Sequence, residues 1–503
     1  MPTQASPSSK GSRIVAVVLA AIAFASIACA IETDKPTADY DMGRASRNTL
    51  EGAAFNFQIE PHEPDYGHLL RPQFHFTPVQ GHMADTTGLI YYQGTYHLFH
   101  MFDRWERRRN KHKQWGHAIS RDLIHWESVE AILDTERDHR PGSGCGLVDA
   151  INSSGLQSGT EKTLLVFYTD YERGTCVSFS RDAGKTWQYY EKNPVLAGAD
   201  DMRDPLVFRH EPSGKWCMVR YEKKGMAFYQ SDTLLEWKPT GRIDGFYECP
   251  DLFELPVKGG EGSRWVLVDG NGSYFTGSFD GRMFHPESER QRVIYGDVYA
   301  TQTWKGTGAA PVQVAWMPYP LNEITQTLNW HGQMTFPCSL ELRKFSDGVT
   351  RLCRVPIAAL QEIRDSGRET TKGSFTVSGT ENPLAGMSME VQEIDLDLDS
   401  VDADGFILKI GPADIRYQAA GRKLSCAGVE AAVPGGGKGI HLQVLVDRSS
   451  IEVFAEDGQV TLSRVLFQFL SPDRVLSLTT VGGGSLRVKS LRVTPLKSIW
   501  PAR

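Results

Sequence analysis

The chain has 503 residues, 40% of them hydrophobic and 23% charged, with a formal net charge of -7. These are the proportions of ordinary globular domains, and the length exceeds what one compact core serves, so two folded units behind a leader are expected. An acidic balance presents no basic face to phosphates, which excludes a nucleic-acid partner and favours a neutral or polar substrate.

In chain order, the first thirty residues read as an export signal. Lys10 and Arg13 precede an almost wholly apolar run at 14–27, and Ala28-Cys29-Ala30 is a small-residue cleavage site. The run is short for a membrane span, and Glu32, Asp34 and Lys35 follow at once, so the mature chain is expected to be exported, secreted or periplasmic, without a transmembrane span. Ser26-Ile27-Ala28-Cys29 resembles a lipoprotein processing box without its usual leucine, which makes a lipid anchor at Cys29 the lesser alternative. Residues 31–66 read as an N-terminal extension. The cysteines, Cys29, Cys145, Cys176, Cys217, Cys249, Cys338, Cys353 and Cys426, are scattered with no C-x-x-C pair. No zinc site, other metal or cofactor is therefore expected, and any disulfide pairing is left open.

From Phe74 onward come short aromatic-rich runs such as Leu89-Ile90-Tyr91-Tyr92, Tyr96-His97-Leu98-Phe99 and Trp265-Val266-Leu267-Val268, punctuated by Gly, Asp, Asn and Ser. That is strand-and-turn chemistry, so the fold class is all-β. A polar turn leading to an aromatic plug recurs: Ser120-Arg121-Asp122 to Trp126, Ser180-Arg181-Asp182 to Trp187, Ser231-Asp232 to Trp237, and Ser278-Phe279-Asp280 to Phe284. Intervals of roughly 50 to 60 residues between plugs predict propeller blades, about five of them, over 67–354. Within the first blade, the basic stretch 104–113 reads as a solvated insertion. A short helix is expected at 357–363 inside a linker at 355–369, and the strands beyond it, such as Ile440-His441-Leu442-Gln443-Val444-Leu445-Val446, suit a separate β-sandwich at 370–503.

Three acids stand at the starts of strand runs, well ahead of the plugs of their blades: Asp85, Asp204 and Glu248. Any one alone reads as a turn aspartate or glutamate bonded to local amides. The first strand of each propeller blade lines the central channel, so three such acids from three blades point into one funnel. Glycoside cleavage uses such a set, with a protonated carboxyl to donate to the departing oxygen and a carboxylate to attack or stabilise the cationic carbon. Crowding of like charges in a partly desolvated pocket keeps that proton available.

At these residues the chain resembles glycoside hydrolase family 32, which includes invertases, levanases and inulinases. Arg71-Pro72-Gln73-Phe74-His75-Phe76 is similar to its opening motif, and Gly81-His82-Met83-Ala84-Asp85-Thr86-Thr87-Gly88 occupies the place of its W-M-N-D-P-N-G. Arg203-Asp204-Pro205 matches its R-D-P and Glu248-Cys249 its E-C. Trp115-Gly116-His117-Ala118, Phe279-Asp280-Gly281, Tyr299-Ala300-Thr301-Gln302-Thr303, Ala315-Trp316-Met317 and Val446-Asp447-Arg448-Ser449-Ser450-Ile451-Glu452-Val453-Phe454 follow in family order.

The resemblance implies a five-bladed β-propeller followed by a C-terminal β-sandwich, and a retaining hydrolase of β-fructofuranosides such as sucrose, levan or inulin. Asp85 would be the nucleophile and Glu248 the acid/base. Asp204 would bind fructosyl hydroxyls, Arg203 would hold the acids in register, and Cys249 would tune Glu248. His82, Ala84, Met101, Trp115, Ser143, Arg203, Cys249, Tyr274 and Trp316 are the expected substrate-binding set, with Trp105 a further aromatic that could stack on sugar. The motif departs from the family at His82, Ala84, Thr86, Thr87, Met101 and Cys145. Ala84 and Met101 remove side chains that would bond sugar hydroxyls, which leaves the sugar and linkage open. Transfer to a second sugar, hydrolysis of another furanoside, and a non-catalytic carbohydrate-binding propeller are the alternatives.

Overall fold

The computed structural model describes residues 65–103, 113–133, 141–198, 201–308, 310–320, 322–379 and 381–501. The export signal, the lipoprotein box, nearly all of the N-terminal extension and Trp105 lie outside the described residues.

Antiparallel sheets follow one another along the chain as five blades. The first comprises Gly81–Tyr92, Thr95–Asp103, Gln114–Ser120 and Trp126–Ile132, the second Pro141–Asp149, Thr163–Asp170 and Gly174–Ser180 with short outer strands. Met202–His210, Lys215–Glu222, Gly225–Ser231 and Lys238–Asp244 make the third; Asp251–Lys258, Ser263–Val268, Ser273–Phe279 and Phe284–Pro286 make the fourth. The fifth, Tyr299–Trp304, Val312–Met317, Cys338–Lys344 and Thr350–Pro356, joins the fourth where Val257 pairs with Leu342. Trp330–His331, which follows two fifth-blade strands, pairs in parallel with Gly81 and His82 of the first, linking the end of the circle to its start.

The recurring turn has a physical basis. Ser120 and Ser231 each accept from the amide three residues on, and Ser180 from the amide four on. The indoles of Trp126, Trp187 and Trp237 then each donate to the carbonyl three residues back. The residue three after each serine is left-handed: Leu123 (φ 67°), Ala183 (58°), Leu234 (66°) and Gly281 (84°). The serine hydroxyl replaces the missing ladder partner while the backbone reverses, and the aromatic seals the turn.

Beyond the fifth blade the predicted helix is a 3₁₀ turn, Ala358–Ile363. The segment read as a linker is pinned rather than loose, since Arg364 grips Glu393 with two hydrogen bonds of 2.6 and 2.7 Å. Two sheets follow. One is built on Gln392–Val401, Ile440–Val446, Ser450–Ala455, Val460–Val465 and Ser485–Pro495, the other on Gly405–Ile410, Ala413–Gln418, Lys423–Cys426, Val429–Ala432 and Leu476–Val481. Their inner faces bury Leu396, Phe406, Leu408, Val444, Val453 and Leu478 in one core, the alternating pattern of a sandwich. Ile294–Gly296, from the connection between the fourth and fifth blades, adds a parallel strand beside Val460–Val465 and so belongs to the sandwich sheet.

A buried charged cluster fastens the start of the propeller to the sandwich. Asp447 accepts from the amides of Gln73 (2.7 Å), Phe74 (3.1 Å) and Arg448 (2.7 Å) and from His75 Nδ1 (2.8 Å). Glu452 accepts from His75 Nε2 (3.0 Å), the Phe336 amide (2.7 Å) and the Ser463 hydroxyl (2.7 Å). Burial alone would lower the pKa of His75, but hydrogen bonds and charge from the two carboxylates outweigh it and raise it to about 9. The seven described cysteines are all buried and free, so no disulfide contributes among the described residues.

Candidate active site

The inner strands of four blades break their ladder registers at corresponding places. The breaks fall between Met83 and Thr86, Pro141 and Gly144, Arg203 and Leu206, and Tyr299 and Gln302. They enclose Asp85, Ser143, Asp204 and Ala300-Thr301. In the fourth blade Glu248 and Cys249 stand just ahead of the strand. Asp204 (φ 57°), Cys249 (46°) and Ala300 (52°) are left-handed. A bulge re-aims the side chain it releases, and here the releases converge.

Ser143 donates to Asp85 Oδ2 at 2.7 Å, linking the first two blades. Asp204 Oδ2 accepts from the Cys249 amide at 3.1 Å and its thiol at 3.4 Å, linking the third and fourth. The Asp204 amide donates to Thr169 Oγ1 at 2.8 Å, and that hydroxyl donates to the Ser143 carbonyl at 3.0 Å. Arg203 Nε donates to Glu248 Oε1 at 2.6 Å while the guanidinium also holds Asp201 and lies 4.3 Å from the centre of the Tyr221 ring. The Tyr299 hydroxyl donates to Glu248 Oε2.

Burial raises the Asp85 carboxyl above the usual carboxylate range, and Glu248 reinforces it against the opposing Ser143 hydrogen bond and Lys113 charge. Burial likewise raises Asp204, with Glu248 and Asp85 adding to it and Arg203 opposing. Burial and the neighbouring acids push the Cys249 thiol and the Tyr299 phenol up as well, so both are neutral donors. Asp85 and Asp204, with raised affinity for protons in a crowd of three carboxyl groups, can hold one near neutrality.

The chain matches the models of glycosyl hydrolases family 32, the N-terminal domain over residues 75–356 and the C-terminal one over 360–495. It belongs to glycoside hydrolase family 32. It is 33% identical to a levanase of Bacillus subtilis (strain 168) over 494 residues, covering 86% of this chain and 72% of that one. It is 28% identical to an extracellular exo-inulinase of Aspergillus ficuum over 541 residues, covering 87% and 97%. The crystal structure of an exo-inulinase from Aspergillus awamori superposes with a TM-score of 0.78 at 26% identity, covering 87% of this chain and all of that one. A five-bladed propeller followed by a sandwich is thus the family 32 architecture, and the chain is a glycoside hydrolase of O-glycosyl bonds.

Of the residues picked from sequence, Asp85, Asp204, Glu248, Ser143, Arg203 and Cys249 are brought together. Cys249 differs from expectation in serving Asp204, with both its amide and thiol, rather than tuning Glu248. His82 lies on the same strand as Asp85, with Nδ1 2.9 Å from Nδ1 of His331 and its ring edge-on to Trp316. Ala84 sits within the first bulge and packs against the core shared by the first two blades, where Met101 is buried.

Two expected sugar contacts are corrected. Trp115 is wholly buried and donates to the Gly142 carbonyl at 3.1 Å, supporting the Ser143 bulge from behind. Tyr274 is buried in a different core, where its hydroxyl accepts from the Leu352 amide at 2.9 Å and donates to Gln291. Trp316 stays beside the site, paired in register with Tyr299, but only 8% of it is exposed.

Sequence reasoning did not single out Tyr299, Tyr171, Thr169 or Lys113 as site residues, although Tyr299 stood within a motif shared with the family. Lys113, read as the end of a solvated loop, instead lies where its charge reaches Asp85, Asp204 and Asp103.

Proposed function

We propose that this chain is a retaining β-fructofuranosidase, acting on levan, inulin, sucrose or a related oligosaccharide. The observation that carries the reading is the meeting of three carboxyl groups from three blades, two of them in unlike company. Asp85 is held by a neutral hydroxyl, whereas Glu248 is held by a guanidinium and a phenol.

In the first step an Asp85 oxygen attacks the anomeric carbon as the glycosidic C–O bond breaks, and Glu248 gives its proton to the departing oxygen. In the second, Glu248 takes a proton from water, the water oxygen bonds the anomeric carbon, and the ester to Asp85 breaks. Two inversions return the original configuration. Asp204, kept in place by Cys249 and Thr169, binds the fructosyl hydroxyls on the side facing the third blade. The relatives named levanase and exo-inulinase support the substrate class, and the one described as extracellular supports export through the signal at 1–30.

The test is to incubate purified protein with levan, inulin, sucrose and an arabinofuranoside, and to follow released sugars and the initial anomer by NMR. Fructose released with retained configuration is expected. Release of another sugar alone, inverted product, or no turnover on any of them would overturn the reading.

A further inference from the structure

Sugar-binding sites use exposed aromatic faces, and among the described residues the aromatics expected from sequence do not supply one: Trp115, Tyr274 and Trp316 are 0%, 2% and 8% exposed. Around the acids, Tyr221 and Tyr299 are likewise buried, and Tyr247 lies under the Arg203 guanidinium. Tyr171 is different. It occupies the turn between Thr163–Asp170 and Gly174–Ser180 of the second blade, and 51% of it is exposed.

Its position ties it to the site. A Cβ built on Gly142 would fall 2.9 Å from the Cε2, Cζ and hydroxyl of Tyr171, so the phenol end rests on a backbone with no side chain to displace it. The next residue is Ser143, whose hydroxyl holds Asp85 at 2.7 Å. The Lys113 ammonium lies 5.9 Å from the ring centroid and steadies the electron-rich ring from the first blade. The charges of Asp204, Asp85 and Glu248 reach Tyr171, so the ring is open to solvent yet borders the acid cluster. A sugar whose anomeric carbon reaches Asp85 fills the space over the acids, and the unit beyond the scissile bond is left against the open ring.

We propose that Tyr171 is a substrate-binding residue, its exposed face stacking on the sugar unit beyond the scissile bond. The proposal rests on the acid assignment above. Stacking against an aromatic face is worth about 1 kcal/mol, or roughly five- to tenfold in affinity.

The test compares Tyr171→Ala, Tyr171→Phe and Tyr171→Trp on a fructo-oligosaccharide. Tyr171→Ala should raise KM about five- to tenfold with kcat within about twofold, and Phe and Trp should restore KM because the face, not the hydroxyl, binds. In parallel, calorimetry measures binding of the same oligosaccharide to Glu248→Gln protein with and without Tyr171→Ala. Binding weakened by the same factor supports the stacking role even if the acid roles are reassigned. An unchanged KM and unchanged binding in folded Tyr171→Ala, or a loss in kcat alone, would overturn it.

Discussion

Two buried acid clusters in this protein face the same electrostatic problem and reach opposite solutions. At the junction of propeller and sandwich, Asp447 and Glu452 enclose His75, and every carboxylate oxygen has a donor. Burial would raise Glu452, but His75 and its other partners outweigh it and hold it below the ordinary range, while His75 itself is raised to about 9. In the active site, three carboxyl groups crowd around Arg203 and Lys113, desolvation and mutual repulsion outweigh the donors they have, and Asp85 and Asp204 are pushed up instead. The junction converts burial into stability because every carboxylate oxygen there has a donor and the two carboxylates share one imidazolium. The site keeps a mismatch, which costs stability and leaves a proton available for chemistry.

The contrast is sharpest in turnover. Asp85→Asn should abolish it by more than about 10⁴-fold on every substrate, because no other group replaces the nucleophile. Glu248→Gln should cost about 10²–10⁴-fold on a natural fructan and less on a nitrophenyl fructoside, whose leaving group needs little protonation. His75→Ala, measured in steady-state kinetics below its melting point, should leave kcat nearly unchanged. Junction variants that lose turnover while still folded would break the division.

Stability should respond the other way. His75→Ala strands two buried carboxylates and should cost about 3–5 kcal/mol by denaturant unfolding. Asp204→Asn should stabilise by about 1 kcal/mol, since it removes a charge the folded state holds at a cost. A lower midpoint for Asp204→Asn would show that its bonds to Cys249 outweigh the crowding.

The pH dependence follows from the same shifts. His75 is raised from 6.5 to about 9, so its stabilisation is fully present below pH 6.5 and is lost as pH rises through about 9. Glu452 is lowered, so its share is present above its unfolded value of 4.5 and is lost as pH falls through the folded one. Melting temperature followed from pH 6 to 10 should fall for the wild type by an amount equivalent to about 3 kcal/mol and stay flatter for His75→Ala. The smallest effect on catalysis is expected of Tyr274→Phe, which removes the hydroxyl's bonds to the Leu352 amide and Gln291 for about 2 kcal/mol of stability and leaves KM unchanged. A changed KM would return Tyr274 to the sugar site.

Much of this was open to a reader of residues. Alternating runs and Gly- and Asp-rich turns determine an all-β chain, because local backbone preference and side-chain period act over a few residues. The Ser-to-Trp repeat determines blades for the same reason, since its hydroxyl, left-handed residue and indole are all within eight positions. The acids could be picked out by their place ahead of each plug. What strands cannot show is which way a residue faces once the register breaks, because one extra residue transfers everything after it to the other face. Trp115, beside such a break, looked like a sugar contact for that reason and is core. Tyr274 on an unbroken ladder and Lys113 ahead of its strand were misread because packing between elements, not register, sets their surroundings. The convergence itself belongs to the tertiary structure alone. Asp85, Ser143, Asp204, Glu248 and Tyr299 are separated by tens of residues, and His75 meets Asp447 and Glu452 across 370 or more, so only closure of the propeller and docking of the sandwich bring them within a few ångströms.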